Sequence, residues 1–442
     1  MKNTLIWFTN DLRIHDNETL YRAMAQNSNL IAVYCFDERH FQKTSLGFDK
    51  TGNFRTQFLI ETVENLRENL KKLAIDLVIR IGKPEIEIVE LAKILQVDTV
   101  FASKEATFEE LEVENKLANN LRAIACRLQM YWQATLWHIE DLPFSITTIP
   151  DVFTDFRKAG ENMVKVRNTF PIPTKQKKSD LTNSFPNNNI DLGKIPNLQQ
   201  FQKTAQTIDY RAVLQFKGGE TAALAQLHSY FWEKDLLKNY KETRNGLIGA
   251  DYSSKFSAWL AVGAISPRKI FEEIVAYEQQ RTKNASTYWL FFELLWRDYF
   301  RFIALKYGNK LFLANGLKGD YKKLGLSNNK SLFESWIHGK TSQPFVNANM
   351  LELKQTGFMS NRGRQNIASY LVKDLKINWR WGAMYFESQL IDYDVCSNWG
   401  NWNYVAGVGN DPRENRYFNV AGQAKKYDEK GEFVRLWLGE NQ

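Results

Sequence analysis

At 442 residues the chain is well past the roughly 250–300 at which one hydrophobic core stops growing, so a single domain is excluded and two or three are expected. Its net charge of +8 favours a polyanion or a phosphate-bearing partner, while the widely separated Cys35, Cys126 and Cys396 form no CxxC pair and exclude a disulfide framework or a cysteine zinc site. No apolar run reaches the ~18 residues of a membrane span and Met1 leads straight into a strand-like segment, so a soluble, cytoplasmic protein without a membrane partner is expected.

The first 140 residues alternate two hydrophobic periods. Strand-like runs at Thr4–Phe8, Leu30–Phe36, Leu77–Ile81, Thr99–Ala102 and Tyr131–Trp137 are separated by helical stripes. One stripe carries Phe58, Leu59, Val63, Leu66, Leu70 and Leu73, and another runs from Glu85 to Leu95. This alternation predicts an α/β domain over 1–140 with a Rossmann-like parallel sheet. The first strand is not followed by GxGxxG, so ordinary dinucleotide binding of the NAD type is excluded. Residues 141–207 read as an interdomain linker, because from residue 170 the pattern dissolves into PIPTKQKKSDLTNSFPNNNIDLGKIPN, a composition that cannot bury a core. Residues 208–442 read as an all-α domain, whose clearest helix is Ser286–Lys306, with Leu290, Phe291, Leu294, Leu295, Phe302 and Leu305 at helical spacing. The 13 Trp, 18 Tyr and 29 Phe suit either core packing or surfaces for stacking a planar cofactor or bases, and composition does not choose between them.

The groups able to do chemistry lie in the second half. Gly218–Gly219–Glu220 marks a tight turn opening a helix. Tyr240-Lys-Glu-Thr-Arg244 is followed by Ser253-Ser254-Lys255-Phe256-Ser257 and Pro267-Arg268. Closely spaced hydroxyls with a lysine at a loop-to-helix junction suit a diphosphate, which hydroxyl and backbone N–H donors and the helix dipole all favour. Serine runs also cap helices, so both readings stand. Glu293, Trp296, Arg297 and Phe300 fall at i, i+3, i+4 and i+7, a mixed acid, base and aromatic face that makes poor core because buried charges need partners. A second polar cluster, Asn361-Arg362-Gly363-Arg364-Gln365, precedes Trp379, Trp381, Asp392-Tyr393-Asp394, Asn398, Trp402 and Tyr404. These carboxylates lack metal-ligand spacing, and His15, His40, His138, His228 and His338 are dispersed, so no metal is expected.

Taken together, WFTNDLRIHDN at Trp7, GGETAAL at Gly218, DYSSKFSAWLAVGAISPR at Asp251, YWLFFELLWRDYFRF at Tyr288, GFMSNRGRQNIASYLVKDL at Gly357 and LIDYDVCSNWGNWNYVAGVGNDPR at Leu390 resemble the DNA photolyase/cryptochrome family over nearly the whole chain. The last string resembles the DASH branch in particular. The resemblance implies an α/β antenna domain, a linker and a helical domain holding a U-shaped FAD. It implies light-driven splitting of cyclobutane pyrimidine dimers in single-stranded or looped DNA by electron transfer from the excited reduced flavin, with 5,10-methenyltetrahydrofolate as antenna, in a monomer. RNA stays open as a second ligand. The alternative is a blue-light receptor that binds nucleic acid without turnover.

Carried over position by position, Tyr240, Ser253, Ser254, Lys255, Phe256 and Ser257 would hold the FAD phosphates and ribityl chain. Arg364 and Asp392 would form an ion pair across the isoalloxazine, with Tyr393 and Asp394 close by and Asn398 facing flavin N5. An amide there cannot donate a proton as the aspartate of plant photosensory cryptochromes can, which leans toward repair, as does a chain ending at Gln442 without a long tail. Glu293 would contact the lesion bases and Trp296 stack on them once flipped from the strand. Asn361 and Gln365 would line that cavity, with Arg297, Arg362 and Tyr404 as further nucleic-acid contacts. Trp402 and Trp379 match the first two members of the electron chain that photoreduces the flavin, with Tyr321 or Trp381 as its exit. Glu105 is the first choice for the antenna contact, followed by Glu109 and Glu112, which equally suit a solvated helix start.

Overall fold

The computed structural model describes residues 2–26, 28–174, 190–207, 209–317, 319, 324–413 and 416–439. Five strands, β1 (Asn3–Phe8), β2 (Asn29–Asp37), β3 (Leu77–Gly82), β4 (Thr99–Ser103) and β5 (Arg127–Tyr131), pair in parallel in the order β3-β2-β1-β4-β5. The helices α1 (Glu18–Met24), α2 (Asn53–Lys72), α3 (Pro84–Ile94) and α4 (Phe108–Ala123) connect them. Period-two alternation sorts the strand residues. Leu5, Trp7, Ile31, Val33 and Val100 pack with Ile88 and Leu91 of α3 and Leu117 and Leu121 of α4, whereas Ile6, Phe8, Ala32, Ile79 and Phe101 join a core continuous with the second domain. Chain order reverses beside β1, so the carboxyl ends of β1 and β4 flank a crevice of the kind in which open α/β sheets hold ligands.

Two boundaries differ from the sequence reading. The fifth strand is Arg127–Tyr131 rather than Tyr131–Trp137. It is an edge strand and half-solvated, so Arg127 and Gln129 break its apolar pattern, while Trp132 and Trp137 leave the sheet for the interdomain core. Nor is 141–207 wholly linker. The helix α5 (Phe153–Met163) drives Phe153 and Phe156 into the core, and Gly160 is required because a Cβ there would lie 2.1 Å from the Trp137 ring. Further on, Leu192 accepts from the Ile79 N–H at 2.8 Å, so this stretch runs beside β3.

The second domain is helical, as expected. Its central helix, Ala285–Tyr307, opens on a capping box in which Asn284 accepts from the backbone of Ser286 and Thr287, and the Thr287 hydroxyl accepts from the Asn284 N–H. The helix Val395–Ala406 packs against it, and Asn361–Ser369 and Trp379–Gln389 pack in turn against Val395–Ala406. Cys35, Cys126 and Cys396 are buried and unbridged, and among the described residues no helix is long and apolar enough to cross a membrane.

Buried polar pairs lock the domains together. Arg268 grips Asp16 through Nη2–Oδ1 at 2.6 Å and Nε–Oδ2 at 3.0 Å. His15 Nε2 accepts from the Ser266 N–H at 3.2 Å, which leaves Nδ1–H to donate to Glu220 at 2.5 Å. That same Glu220 carboxylate accepts from the backbone of Ile14 and His15, which ties the turn at Gly218–Gly219 to the β1 loop.

Candidate active site

A partly open cleft of about 120 Å³ lies in the helical domain. The helix Asn361–Ser369 supplies Asn361, Arg364 and Gln365; the turn 390–394 supplies Asp392, Tyr393 and Asp394; the helix Val395–Ala406 supplies Ser397, Asn398 and Trp402. Gly363 lets the first of these helices sit deep, since a Cβ there would be 2.0 Å from Asn349 Oδ1.

Arg364 Nη2 donates to Asp392 Oδ2 at 2.9 Å and its Nε to the Met359 carbonyl at 2.9 Å. Asp392 is buried, and its Oδ1 has no partner among the described residues. Asp394 caps its helix by accepting from the Ser397 N–H at 2.8 Å, and its second oxygen meets Arg301 Nη2 at 2.5 Å. Tyr393 accepts from the Trp399 indole at 3.2 Å and lies under the Arg55 guanidinium at 4.5 Å. Asn398 commits its Nδ2 to the Ala383 carbonyl at 3.1 Å, which keeps the amide oxygen, an acceptor, as its spare group. A guanidinium, a carboxylate oxygen unpartnered among the described residues and an amide acceptor around one cleft fit the polar edge of the expected isoalloxazine.

The serine-rich segment meets this cleft from the side. Lys255 has a left-handed backbone (φ 59°), and its Nζ donates to Ser253 Oγ at 3.1 Å while lying 3.0 Å from the Tyr252 ring centre. Burial pushes the Lys255 amine down to about 6. Ser254 and Phe256 are buried beside it, and Ser257 opens the short helix Ser257–Ala261. The Lys255 amine and the Arg364 guanidinium lie 5.9 Å and 5.3 Å from the Phe358 ring, so the two motifs converge on one residue. Glu352, which carries no signal in the sequence, is buried near both cations with neither oxygen bonded among the described residues, and burial pushes it up to about 8.

At the mouth, Glu293 Oε1 lies 2.8 Å from Arg244 Nη2, and burial raises the Glu293 carboxyl. Tyr240 is buried beside this pair. Trp296 stacks on Phe153 at 3.7 Å and meets Tyr404 edge-on at 6.1 Å; the Tyr404 hydroxyl accepts from Arg416 at 2.8 Å. Arg362 donates to Gln365 Oε1 at 2.9 Å and Asn245 Oδ1 at 2.8 Å, with its guanidinium over Tyr427 at 4.4 Å. Arg297 does not join them. Its guanidinium donates to the carbonyls of Ala134 at 2.5 Å and Leu260 at 3.0 Å, so it binds the domains together and does not face a strand. Helical spacing puts it on the expected face but says nothing of those two loops. Phe153 and Arg244 were missed as site residues, the first inside an apparent linker and the second in a string read for its tyrosine.

Trp402 lines the cleft and touches Phe386 at 5.1 Å and Trp336 at 6.4 Å. Gly382 makes room for it, since a Cβ there would sit 2.2 Å from the indole. Trp379 is fully buried, donates to the Ala314 carbonyl at 3.1 Å and contacts Trp399 at 5.8 Å. Tyr321 lies outside the described residues, while Trp381 is partly buried against Phe333 at 5.3 Å.

In the crevice between β1 and β4, Glu105 accepts from Asn10 Nδ2 at 2.9 Å and Thr9 Oγ1 at 3.4 Å, and burial pushes it up to about 7. Arg301, which binds Asp394 of the cleft, is the cation that acts on it. Glu109 pairs with Lys50 at 2.6 Å nearer solvent, and Glu112 pairs with Lys116 on the exposed face of α4, so only Glu105 is enclosed.

Residues 4–175 match the family model described as DNA photolyase, and residues 289–442 the model described as FAD binding domain of DNA photolyase. The cryptochrome DASH of Gloeobacter violaceus is 52% identical over 439 residues, covering 99% of this chain and 86% of that protein. The cryptochrome DASH of Xenopus laevis is 50% identical over 436 residues, covering 98% and 82%. A crystal structure of a Synechocystis cryptochrome superposes with a TM-score of 0.94 at 51% identity, covering 100% of this chain and 89% of that one. An archaeal photolyase from Sulfolobus tokodaii, whose structure holds two FAD molecules, superposes with a TM-score of 0.79 at 25% identity, covering 99% and 90%. Strand order, cleft and relatives agree: the chain belongs to the photolyase/cryptochrome family of FAD-binding proteins, among its DASH cryptochromes.

Proposed function

We propose that the protein is a light-driven flavoenzyme that splits cyclobutane pyrimidine dimers, preferentially in single-stranded or looped DNA, with a folate antenna in the β1/β4 crevice. The observation that carries this reading is the helix Asn361–Ser369. It turns Arg364 toward the cleft and its ion pair, and it brings Asn361, Gln365 and Arg362 to the mouth beside Arg244 and Glu293. One rigid element thus joins a flavin-type site to groups suited to bases and phosphates.

Arg364, Asp392 and Asn398 would hold the isoalloxazine of FAD, which when bound would supply light-driven, reversible electron donation. The protein residues hold and tune. Arg364 would set its positive charge against an anionic reduced cofactor, and Asp392 keeps that guanidinium paired. The Asn398 oxygen accepts a hydrogen bond and has no proton to give. Trp296, backed by Phe153, offers a braced aromatic surface for a flipped base. Trp402 and then Trp379 supply the electron that reduces the cofactor, with Trp381 as the exit toward solvent.

Gln365 and Tyr404 make the mouth polar, which weakens an apolar grip on the dimer. That matters most in duplex, where flipping costs unpairing as well as unstacking, a few kcal/mol in all. Illuminating the protein with dimer-bearing single-stranded and duplex oligonucleotides side by side tests this. Efficient repair of the single strand and much poorer repair of duplex is expected. Equal repair of both would contradict the preference, and repair of neither by flavin-loaded protein would favour a photoreceptor.

A further inference from the structure

Two guanidiniums, Arg244 and Arg362, lie near each other at the mouth, and Arg244 is the one with a carboxylate partner. Arg244 is held by Glu293 at 2.8 Å. Arg362 lies close enough for the Arg244 charge to act on it, yet its own partners are the neutral amide oxygens of Gln365 and Asn245 and the face of Tyr427. Its buried Nε has no partner among the described residues. Among the described residues Arg362 therefore has no carboxylate partner. A phosphodiester is the ligand class that relieves this, because its oxygens match the guanidinium fork.

Glu293 is also the group read above as the contact for lesion bases, so base and arginine compete for one half-buried carboxylate. We propose that Arg244 is a specificity residue held in reserve by Glu293. A flipped base that engages the Glu293 carboxyl frees Arg244 for the strand's phosphate, so reading the lesion and gripping the backbone occur together. This rests on the nucleic-acid reading above and adds a coupling to it. An undamaged strand, which has no dimer to seat against Glu293, meets Arg362 but not a free Arg244. Discrimination is then larger than two independent contacts would give.

Salt titrations of binding test the coupling, using flavin-loaded protein, undamaged oligothymidylate and the same strand carrying a dimer. Glu293→Gln removes the competitor isosterically, so one more phosphate is neutralised on the undamaged strand. The slope of log K against log salt should steepen by about 0.7, equivalent to about eightfold tighter binding at roughly 0.05 M salt. Arg244→Met should weaken the dimer strand more than the undamaged one, and on that background Glu293→Gln should give no gain. The coupling is overturned if Glu293→Gln binds undamaged strand no more tightly and with an unchanged slope, or if Arg244→Met weakens both strands equally. In those cases wild-type binding of the dimer strand still upholds the nucleic-acid reading. Failure of the wild type to bind either strand at low salt would overturn that reading and the coupling with it.

Discussion

Replacing Arg364 by alanine isolates the cost of a buried carboxylate without its partner. The Asp392 side chain is 2% exposed; Oδ2 accepts only from Arg364, at 2.9 Å, and Oδ1 has no partner among the described residues. Breaking such a pair costs about 3–5 kcal/mol. In a domain of 150–250 residues each kcal/mol lowers Tm by about 2–4 °C, so the helical domain should melt roughly 6–20 °C lower. Melting followed by far-ultraviolet circular dichroism on flavin-free protein measures this without cofactor linkage. Asp392→Asn added to Arg364→Ala removes the stranded charge and should recover at least half the loss. The remainder is the Met359 hydrogen bond and the stacking on Phe358, which no change at Asp392 restores. A single-mutant shift below about 3 °C would refute the reasoning. So would a double mutant as unstable as the single, since the unpaired charge would not then be the source.

Trp402→Phe should abolish light-driven reduction of oxidised flavin while the chemically reduced protein still repairs dimers; loss of both activities would make Trp402 merely structural. Gly382→Ala places a Cβ 2.2 Å from the Trp402 ring, so overpacking of about 1–3 kcal/mol and slower photoreduction are expected, and an unchanged Tm and rate would contradict the packing. Glu105 has its pKa raised from 4.5 to about 7 by burial, so between those values the folded protein keeps a proton that the unfolded chain has lost. Stability should therefore fall by about 3 kcal/mol in total as pH rises through that window and then level off. Glu105→Gln should leave pH 4 stability unchanged and raise it at pH 8, and an identical pH profile in both proteins would exclude Glu105 as the titrating group.

Local periodicity made four of the five strands and the Ala285–Tyr307 helix legible because their patterns are decided by burial on known faces. The same logic failed at β5, where an edge strand carries Arg127 and Gln129, and a stronger apolar run just downstream belongs to the domain interface. It failed at α5 because a helix of eleven residues, with three buried positions, stands beside a segment of linker composition. Of the site, the groups that lie within one helix or turn were legible: Arg364 with Gln365, and Asp392 with Asp394. The partners that fix their roles were not. Arg297 has the spacing of a surface group, but the carbonyls that capture it come from residues 163 and 37 positions away. Arg301 and Glu352 read as ordinary polar positions on helices, and only tertiary packing makes one a bridge between cleft and crevice and leaves the other without a hydrogen-bond partner among the described residues.

The clamp between Asp16 and Arg268 also sets an order for events on the ribosome. The two residues are 252 positions apart, and synthesis at 5–20 residues per second separates their emergence by roughly 13–50 s. Throughout that interval the nascent α/β unit presents Asp16 on a surface that has no counterpart, because Arg268 is still untranslated or inside the exit tunnel, and His15 waits for Glu220 during most of it. The sheet can assemble in that time but cannot close, and it offers an open, charged flank to chaperones. Slowing translation downstream of the first domain prolongs this exposure. Supplying the helical half as a separate polypeptide makes its completion a bimolecular event that depends on concentration.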